Sequence, residues 1–72
     1  MNINNLVKMA NQIGDFFDAM PDRAAAEQDI LRHLERSWDP RMLAEIDAHV
    51  HQGGEGLSEI VLAALSKRQQ SV

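Results

Sequence analysis

The chain lacks cysteine altogether, and this absence removes several classes of chemistry. Without thiolates there is no disulfide framework, no cysteine-ligated zinc site and no cysteine nucleophile. The absence suits a reducing compartment, although many exported proteins also lack cysteine. A core built from 72 residues rarely supplies more than about 3–5 kcal/mol without a disulfide, a metal or a partner. We therefore expect one small domain of marginal stability, which a bound partner would raise by mass action.

Long apolar runs, a leader segment and an excess of basic residues are also missing. No apolar stretch approaches the roughly 20 residues that span a bilayer, and MNINNLVKMANQ has none of the features of a signal peptide. Seven Lys and Arg against eleven Asp and Glu give a net charge of −4. Nucleic acids and anionic membranes are bound largely through cations, so neither is predicted as a partner. The sequence favours a soluble, cytoplasmic protein that binds a protein or a small molecule.

The spacing of apolar residues predicts an all-α domain of about four short helices. In each segment the apolar positions recur at steps of three and four, which places them on one helix face. No strand-like alternation and no internal repeat occur. The chain is predicted to form a single domain over residues 1–72, in which residues 66–72 form a flexible tail. The predicted helices are residues 3–20, residues 21–38, residues 40–52 and a short helix after Ser58.

Prolines, acids and glycines mark the predicted helix ends. Pro21 disfavours helical backbone at the residue before it and should end the first helix. Asp39 is predicted to cap the third helix, with Pro40 in its first turn. Gly53 and Gly54 can adopt the positive φ that ends helices. The stretch GGEGLS resembles a phosphate-binding loop, but it follows a helix and lacks GxxxxGK, so a C-terminal cap is the better interpretation.

The histidines do not form a convincing metal site. His49 and His51 are two residues apart, which separates them by about 200° around a helix. Asp47 and His51 have the i, i+4 spacing of helical metal ligands, but no third ligand accompanies them. A solvated polar face is the preferred interpretation, and His33 is assigned to it as well.

The carboxylates are predicted to pair with arginines on the surface. Glu27 is expected to pair with Arg23, and Glu35 with Arg32 or Arg36. No serine has the context of a nucleophile elbow. The sequence therefore predicts no catalytic, no cofactor-binding and no metal-binding residue in this chain.

Apolar residues beyond the main stripes indicate a surface for a partner. Val7, Met9 and Phe16 widen the apolar arc of the first helix, and Met42 does the same beside Leu43. Methionine and aromatic side chains are large and adaptable, and they are common at such contacts.

The stretch SWDPRM holds the only tryptophan, Trp38, at the predicted corner between the second and third helices. The simpler interpretation is a corner in which Trp38 fills the core, with Arg41 facing solvent or an acid. The alternative, that the corner also docks a partner, stays open. The residues predicted to bind a partner are Met9, Phe16, Trp38, Arg41 and Met42.

Three stretches of the chain resemble a known family. NLVKMANQIGDFFDAMPDR, WDPRM and GGEGLSEIV together resemble the delta subunit of NAD-dependent, molybdenum-containing formate dehydrogenases. The resemblance runs from about Ile3 to Leu65, and MANQI-x-x-FF followed by PDR and later W-[DE]-PRM is a specific combination. Ser37 stands where the family usually has an aromatic residue, and Leu43 where it usually has a basic one.

The resemblance implies a non-catalytic accessory subunit of a cytoplasmic complex that oxidises formate and passes the electrons to NAD. It implies that molybdopterin guanine dinucleotide, iron–sulfur clusters and flavin belong to the larger subunits. The catalytic (alpha) subunit is the expected partner, and assembly, cofactor insertion or activity the expected role. Self-association of the isolated chain is a further alternative.

A small helix-turn-helix regulator that binds nucleic acid is the competing interpretation, and a small metal-binding protein is a third. A recognition helix should present several basic or amide side chains to base edges. The third helix offers Arg41 and Gln52 at its ends but Glu45 and Asp47 between them, which disfavours this alternative.

Overall fold

The computed structural model describes residues 2–70, the last of them by its backbone alone. Four α-helices follow one another: α1 (Ile3–Phe17), α2 (Arg23–Ser37), α3 (Pro40–His51) and α4 (Glu59–Gln70). Residues 2–70 contain no strand, so the predicted all-α class is confirmed. Within the same range, no helix is long and apolar enough to cross a membrane.

Polar side chains cap the first three helices at their N-termini, because the first amides of a helix have no partner within it. The side-chain oxygens of Asn2, Asp22 and Asp39 each accept a hydrogen bond from a backbone amide of the following turn, at 2.8, 3.2 and 2.9 Å. Pro40 stands in the first turn of α3, where a missing amide hydrogen costs nothing. The predicted start of the third helix is confirmed.

Helix α1 is shorter than its apolar stripe suggests. The sequence predicted a helix as far as Met20, but α1 ends at Phe17 and the amide of Asp18 donates its last helical bond to Gly14. Residues 18–22 then turn the chain back towards α2. Met20 nevertheless packs against the core from this turn. Pro21 only prevents the helix from continuing past residue 20. It does not determine where before that residue the helix ends, so the end at Phe17 could not be predicted from it.

Helix α4 is longer than the sequence predicted, because it continues through Gln70 where a tail was expected from residue 66 onwards. The Nζ atom of Lys67 lies 2.7 Å from a carboxylate oxygen of Glu27, and the side-chain amide of Gln69 donates to the carbonyl of Asp47 at 2.6 Å. These contacts hold the last helical turn against α2 and α3. Residues 71 and 72 lie outside the described part of the chain.

The core lies where all four helices meet. Helix α4 packs against each of the other three helices, and α1 also contacts α2 and α3. The buried apolar residues are Leu6, Ala10, Ala26, Ile30, Leu34, Trp38, Leu43, Ile46, Ile60, Val61, Ala64 and Leu65.

Gly14 allows α1 and α4 to approach closely. It is buried in the last turn of α1, and a Cβ atom added to it would overlap the side chain of Val61 and touch that of Ile60. The two helices could not pack at this distance with a larger residue at position 14. Gly14 is therefore a packing residue, and its low helix propensity is offset by the contact it permits.

The segment between α3 and α4 is a helix cap followed by a turn, as predicted. Gly53 and Gly54 have φ of 119° and 67°, and the amide of Gly54 donates to the carbonyl of His49 at 2.9 Å. The segment is fixed to α1 by Asn11, whose side chain donates to the carbonyl of Gly56 at 2.9 Å and accepts from the amide of Ser58 at 2.8 Å. One side chain thus sets the start of α4 relative to α1.

Candidate functional site

An apolar groove lies between α1 and the corner that joins α2 to α3. It encloses about 520 Å³, within the range of roughly 300–1,000 Å³ that is usual for binding sites in proteins. Apolar and aromatic side chains make up most of its surface. The residues that line the groove are Met9, Gln12, Ile13, Phe16, Phe17, His33, Ser37, Trp38 and Met42.

Helix α1 supplies one wall of the groove through residues three or four positions apart. Phe16 is 77% exposed and is the large apolar side chain that residues 2–70 leave most open to solvent. Its ring meets that of Phe17 edge to face, with 5.0 Å between the centroids. Burying a phenylalanine side chain is worth about 1.5–3 kcal/mol. Because the ring of Phe16 stays exposed in the isolated domain, this free energy would be gained only when a second molecule covers it.

The corner between α2 and α3 supplies the opposite wall. Trp38 and Asp39 are extended, with φ of −96° and −77°, and they turn the chain from one helix into the next. The indole of Trp38 is only 6% exposed, as the core-filling interpretation predicts, yet it also lines the groove. Met42, in the first turn of α3, is half-buried beside it.

The structure brings four of the five predicted partner-binding residues into this one groove. Met9 and Phe16 lie on α1, Trp38 on the corner and Met42 on α3, and all four line it. Arg41 is exposed and precedes Met42 in the chain, but it does not line the groove.

Val7, which also widens the apolar arc of α1, has a different place. It packs against the core and lies near Gly56, where an added Cβ would come within 3.4 Å of its side chain. Its apolar surface is therefore used inside the domain, on the side of the segment between α3 and α4.

Sequence reasoning missed five residues of the groove. Ile13 and Phe17 belong to the stripe that was assigned to the core, but both are half-buried at the groove. The ring of His33, assigned to a solvated face, is 6.3 Å from that of Phe17. Gln12 and Ser37 complete the lining. The i, i+4 row of Met9, Ile13 and Phe17 beside Phe16 was the available signal for a continuous apolar wall.

Two arginines of α2 lie at the edge of the groove. A smaller cavity of about 130 Å³ shares Phe17 and His33 with the groove and is otherwise lined by Asp29, Arg32 and Arg36. Arg32 lies 3.5 Å from the carboxylate of Asp29. Arg36 has no ion-pair partner among residues 2–70 and is exposed at this edge. Arg41 is likewise exposed and without an ion-pair partner in that range, but it lines neither cavity.

An ion-pair cluster elsewhere on the domain joins α4 to α2. Glu27 is buried between Lys67 and Arg23, whose nitrogens lie 2.7 and 3.4 Å from its oxygens. The hydrogen bond from Lys67 lowers the pKa of Glu27 against the opposing effect of burial, and Arg23 adds to the lowering. The predicted pairing of Glu27 with Arg23 is confirmed.

The predicted partner of Glu35 is wrong. Glu35 pairs with Arg68 of α4 and not with Arg32 or Arg36, and Arg68 also binds Asp47 of α3 at 3.0 Å. Helix spacing identifies only neighbours on the same helix, so it could not find this contact across three helices.

Within residues 2–70, no three His, Cys, Asp or Glu residues converge as a metal site would require. What the fold and groove define is a small helical domain with an open apolar surface. The family model of the NADH-dependent formate dehydrogenase delta subunit FdsD matches residues 5–65, and the chain belongs to this family. Comparison with curated proteins gave no match, and neither did comparison with solved structures. The resemblance noted from the three sequence stretches is confirmed.

Proposed function

We propose that the chain is a non-catalytic accessory subunit that docks through the apolar groove onto the catalytic (alpha) subunit of a cytoplasmic NAD-dependent formate dehydrogenase. Docking supports assembly, cofactor insertion or activity of the larger subunits. Family membership supports the association with formate dehydrogenase. It also favours this function over a nucleic-acid-binding regulator.

The single observation that carries the docking proposal is the exposure of Phe16 beside Met9, Trp38 and Met42. Aromatic and methionine side chains concentrate at the centres of protein interfaces and supply a large share of the binding energy. The polar side chains of Gln12 and other residues at the groove margin resemble the polar rim that surrounds such centres.

The cofactors of the complex do not suit the donor set of this chain. Iron–sulfur clusters need thiolate ligands, and the sequence has no cysteine. The glycine-rich segment follows helix α3 and is held by helix-capping bonds, unlike a strand-to-helix loop that binds a dinucleotide. We propose, as the family resemblance implies, that molybdopterin guanine dinucleotide, the clusters and flavin belong to the partner subunits.

Substitution of Phe16 tests the proposal. Phe16→Asp removes the exposed ring and places a charge in the groove, and we expect it to abolish co-purification with the large subunits and to lower formate-dependent reduction of NAD. The fold should persist, because changes at exposed positions usually alter stability by about 0.5 kcal/mol or less. Circular dichroism of the isolated variant checks the fold.

A matched control separates the groove from a general effect of charge. Ala24→Asp adds the same charge at an exposed position in the first turn of α2 that does not line the groove, and it should leave the complex intact. If folded Phe16→Asp protein co-purifies as fully as the control and supports full activity, the docking surface lies elsewhere.

A further inference from the structure

The arginines at the edge of the groove have no evident role in the fold. Of the seven basic residues, Lys67 and Arg68 pair with carboxylates of other helices, while Arg23 and Arg32 pair with carboxylates of their own helix, α2. Arg36 and Arg41 bind none among residues 2–70, although the chain as a whole is acidic. Arg36 thus lines a cavity that adjoins the apolar groove, and Arg41 precedes Met42 of the groove in the chain, in a protein that carries a net charge of −4. Lys8, on α1, also has no ion-pair partner among residues 2–70.

The position of Arg41 is unfavourable for α3. It occupies the first turn, where the partial positive charge of the helix N-terminus repels a cation and favours an acid. The first turn of α3 contains no acidic residue, and the negative charge at this helix start comes from the N-cap Asp39. Arg36, in contrast, lies in the last turn of α2, where a cation is favoured. Helix electrostatics therefore explain Arg36 in part but not Arg41.

The carboxylates nearby are already engaged on this side of the groove. Asp39 caps α3 through the amide of Met42, and Asp29 pairs with Arg32. Neither of these acids therefore pairs with Arg36.

We infer that the occupant of the groove is a partner segment with an apolar anchor and, next to it, one or more carboxylates that bind Arg36 and Arg41. This inference rests on the proposed function and names the chemistry of the partner at the same site. Charge complementarity carries it, since a guanidinium presents paired donors that match a carboxylate. The apolar anchor covers Phe16 and Trp38, while the carboxylates fix the orientation of the segment and speed its association.

Zero-length cross-linking in the assembled complex tests this inference. Arg36→Lys and Arg41→Lys keep the positive charge and introduce an amine, which a carbodiimide couples only to a carboxylate in direct contact. A photoreactive benzoylphenylalanine at position 16 marks the apolar anchor in the same complex. We expect amides from positions 36 and 41 to Asp or Glu residues that lie within a few residues of the partner side chain captured from position 16. Ala24→Lys is the matched control and should give no amide to the partner.

The salt dependence of association gives an independent measurement. The double variant Arg36→Glu/Arg41→Glu should associate about tenfold more slowly than the unchanged chain at low salt, and the difference should narrow as salt screens the charges. A slower association that does not depend on salt would contradict the inference.

The outcomes separate the inference from the proposed function. If the complex forms through Phe16 but neither introduced amine is coupled to the partner, the inference is overturned and the proposed function stands. If position 16 captures a second copy of this chain, the occupant is not the partner segment, and the inference is also overturned. If the unchanged chain binds no large subunit, both fail.

Discussion

Replacing Gly14 with alanine should destabilise the domain, although helix propensity alone predicts the opposite. Alanine in a helix interior is favoured over glycine by about 1 kcal/mol. A Cβ atom at position 14, however, would overlap Val61, whose stiff β-branched side chain is fully buried. Overpacking of this kind costs about 1–3 kcal/mol. The steric cost is the larger of the two terms. We therefore expect Gly14→Ala to lower the free energy of unfolding by about 1 kcal/mol, the difference between them.

A second substitution should reverse the sign of this effect. Val61→Ala removes two methyl groups and leaves a cavity, at a cost of about 2 kcal/mol when alone. In that background the new methyl group at position 14 enters the vacated space, so Gly14→Ala should now stabilise the domain by about 1 kcal/mol. The coupling energy between the two sites is then about 2 kcal/mol, which is within the range for residues in contact.

Urea denaturation followed by circular dichroism measures all four proteins of this cycle. Sucrose, an osmolyte, can be added equally to all four proteins. It raises the free energy of unfolding of each one, so that even a marginally stable variant has a folded baseline, and the comparison between them is unchanged. A change of 1 kcal/mol should also shift the melting temperature by about 4–8 °C for a domain of this size. If Gly14→Ala stabilises the protein by the same amount with Val61 and with alanine at position 61, the close approach of α1 and α4 is refuted.

Two further predictions concern the contacts that fix α4. Glu27→Gln should lower stability by about 1–3 kcal/mol near neutral pH, because hydrogen bonds from Lys67 and Arg23 to an ionised group are lost. Since folding lowers the pKa of Glu27 from 4.5, its contribution is present above that pH and is lost as the pH falls through the lowered value, so unfolding curves of the two proteins should converge in acid. Asn11→Ala should cost about 1–3 kcal/mol and speed amide hydrogen exchange in residues 52–58 more than in α2. Equal protection of that segment in both proteins would show that Asn11 does not hold it.

Local signals predicted the parts of the fold that local chemistry decides. The start of α3 follows from Asp39 and Pro40, which act within one helical turn. The end of α4 depends instead on Lys67 and Gln69, whose partners lie on α2 and α3. Helix periodicity contains no information about such distant contacts. The polar residues from position 66 onwards were therefore predicted to form a tail.

The residues of the candidate site likewise include some that the sequence could predict and others that it could not. Met9 and Phe16 could be predicted because they fall outside the stripe that a helix needs for its core. Ile13 and Phe17 could not be distinguished from core residues, because their exposure depends on how the corner at Trp38 packs against α1. A pattern shows which face of a helix is apolar, but only the packing shows how much of that face remains uncovered.

The position of Trp38 also has a spectroscopic consequence. The chain contains one tryptophan and no tyrosine, and this tryptophan lines the groove. Chain labelled with 5-fluorotryptophan and added to unlabelled partner subunits would carry a single fluorine site, whatever the aromatic content of the partner. Its chemical shift would report on the groove alone, so free and occupied populations could be counted directly in the assembled enzyme.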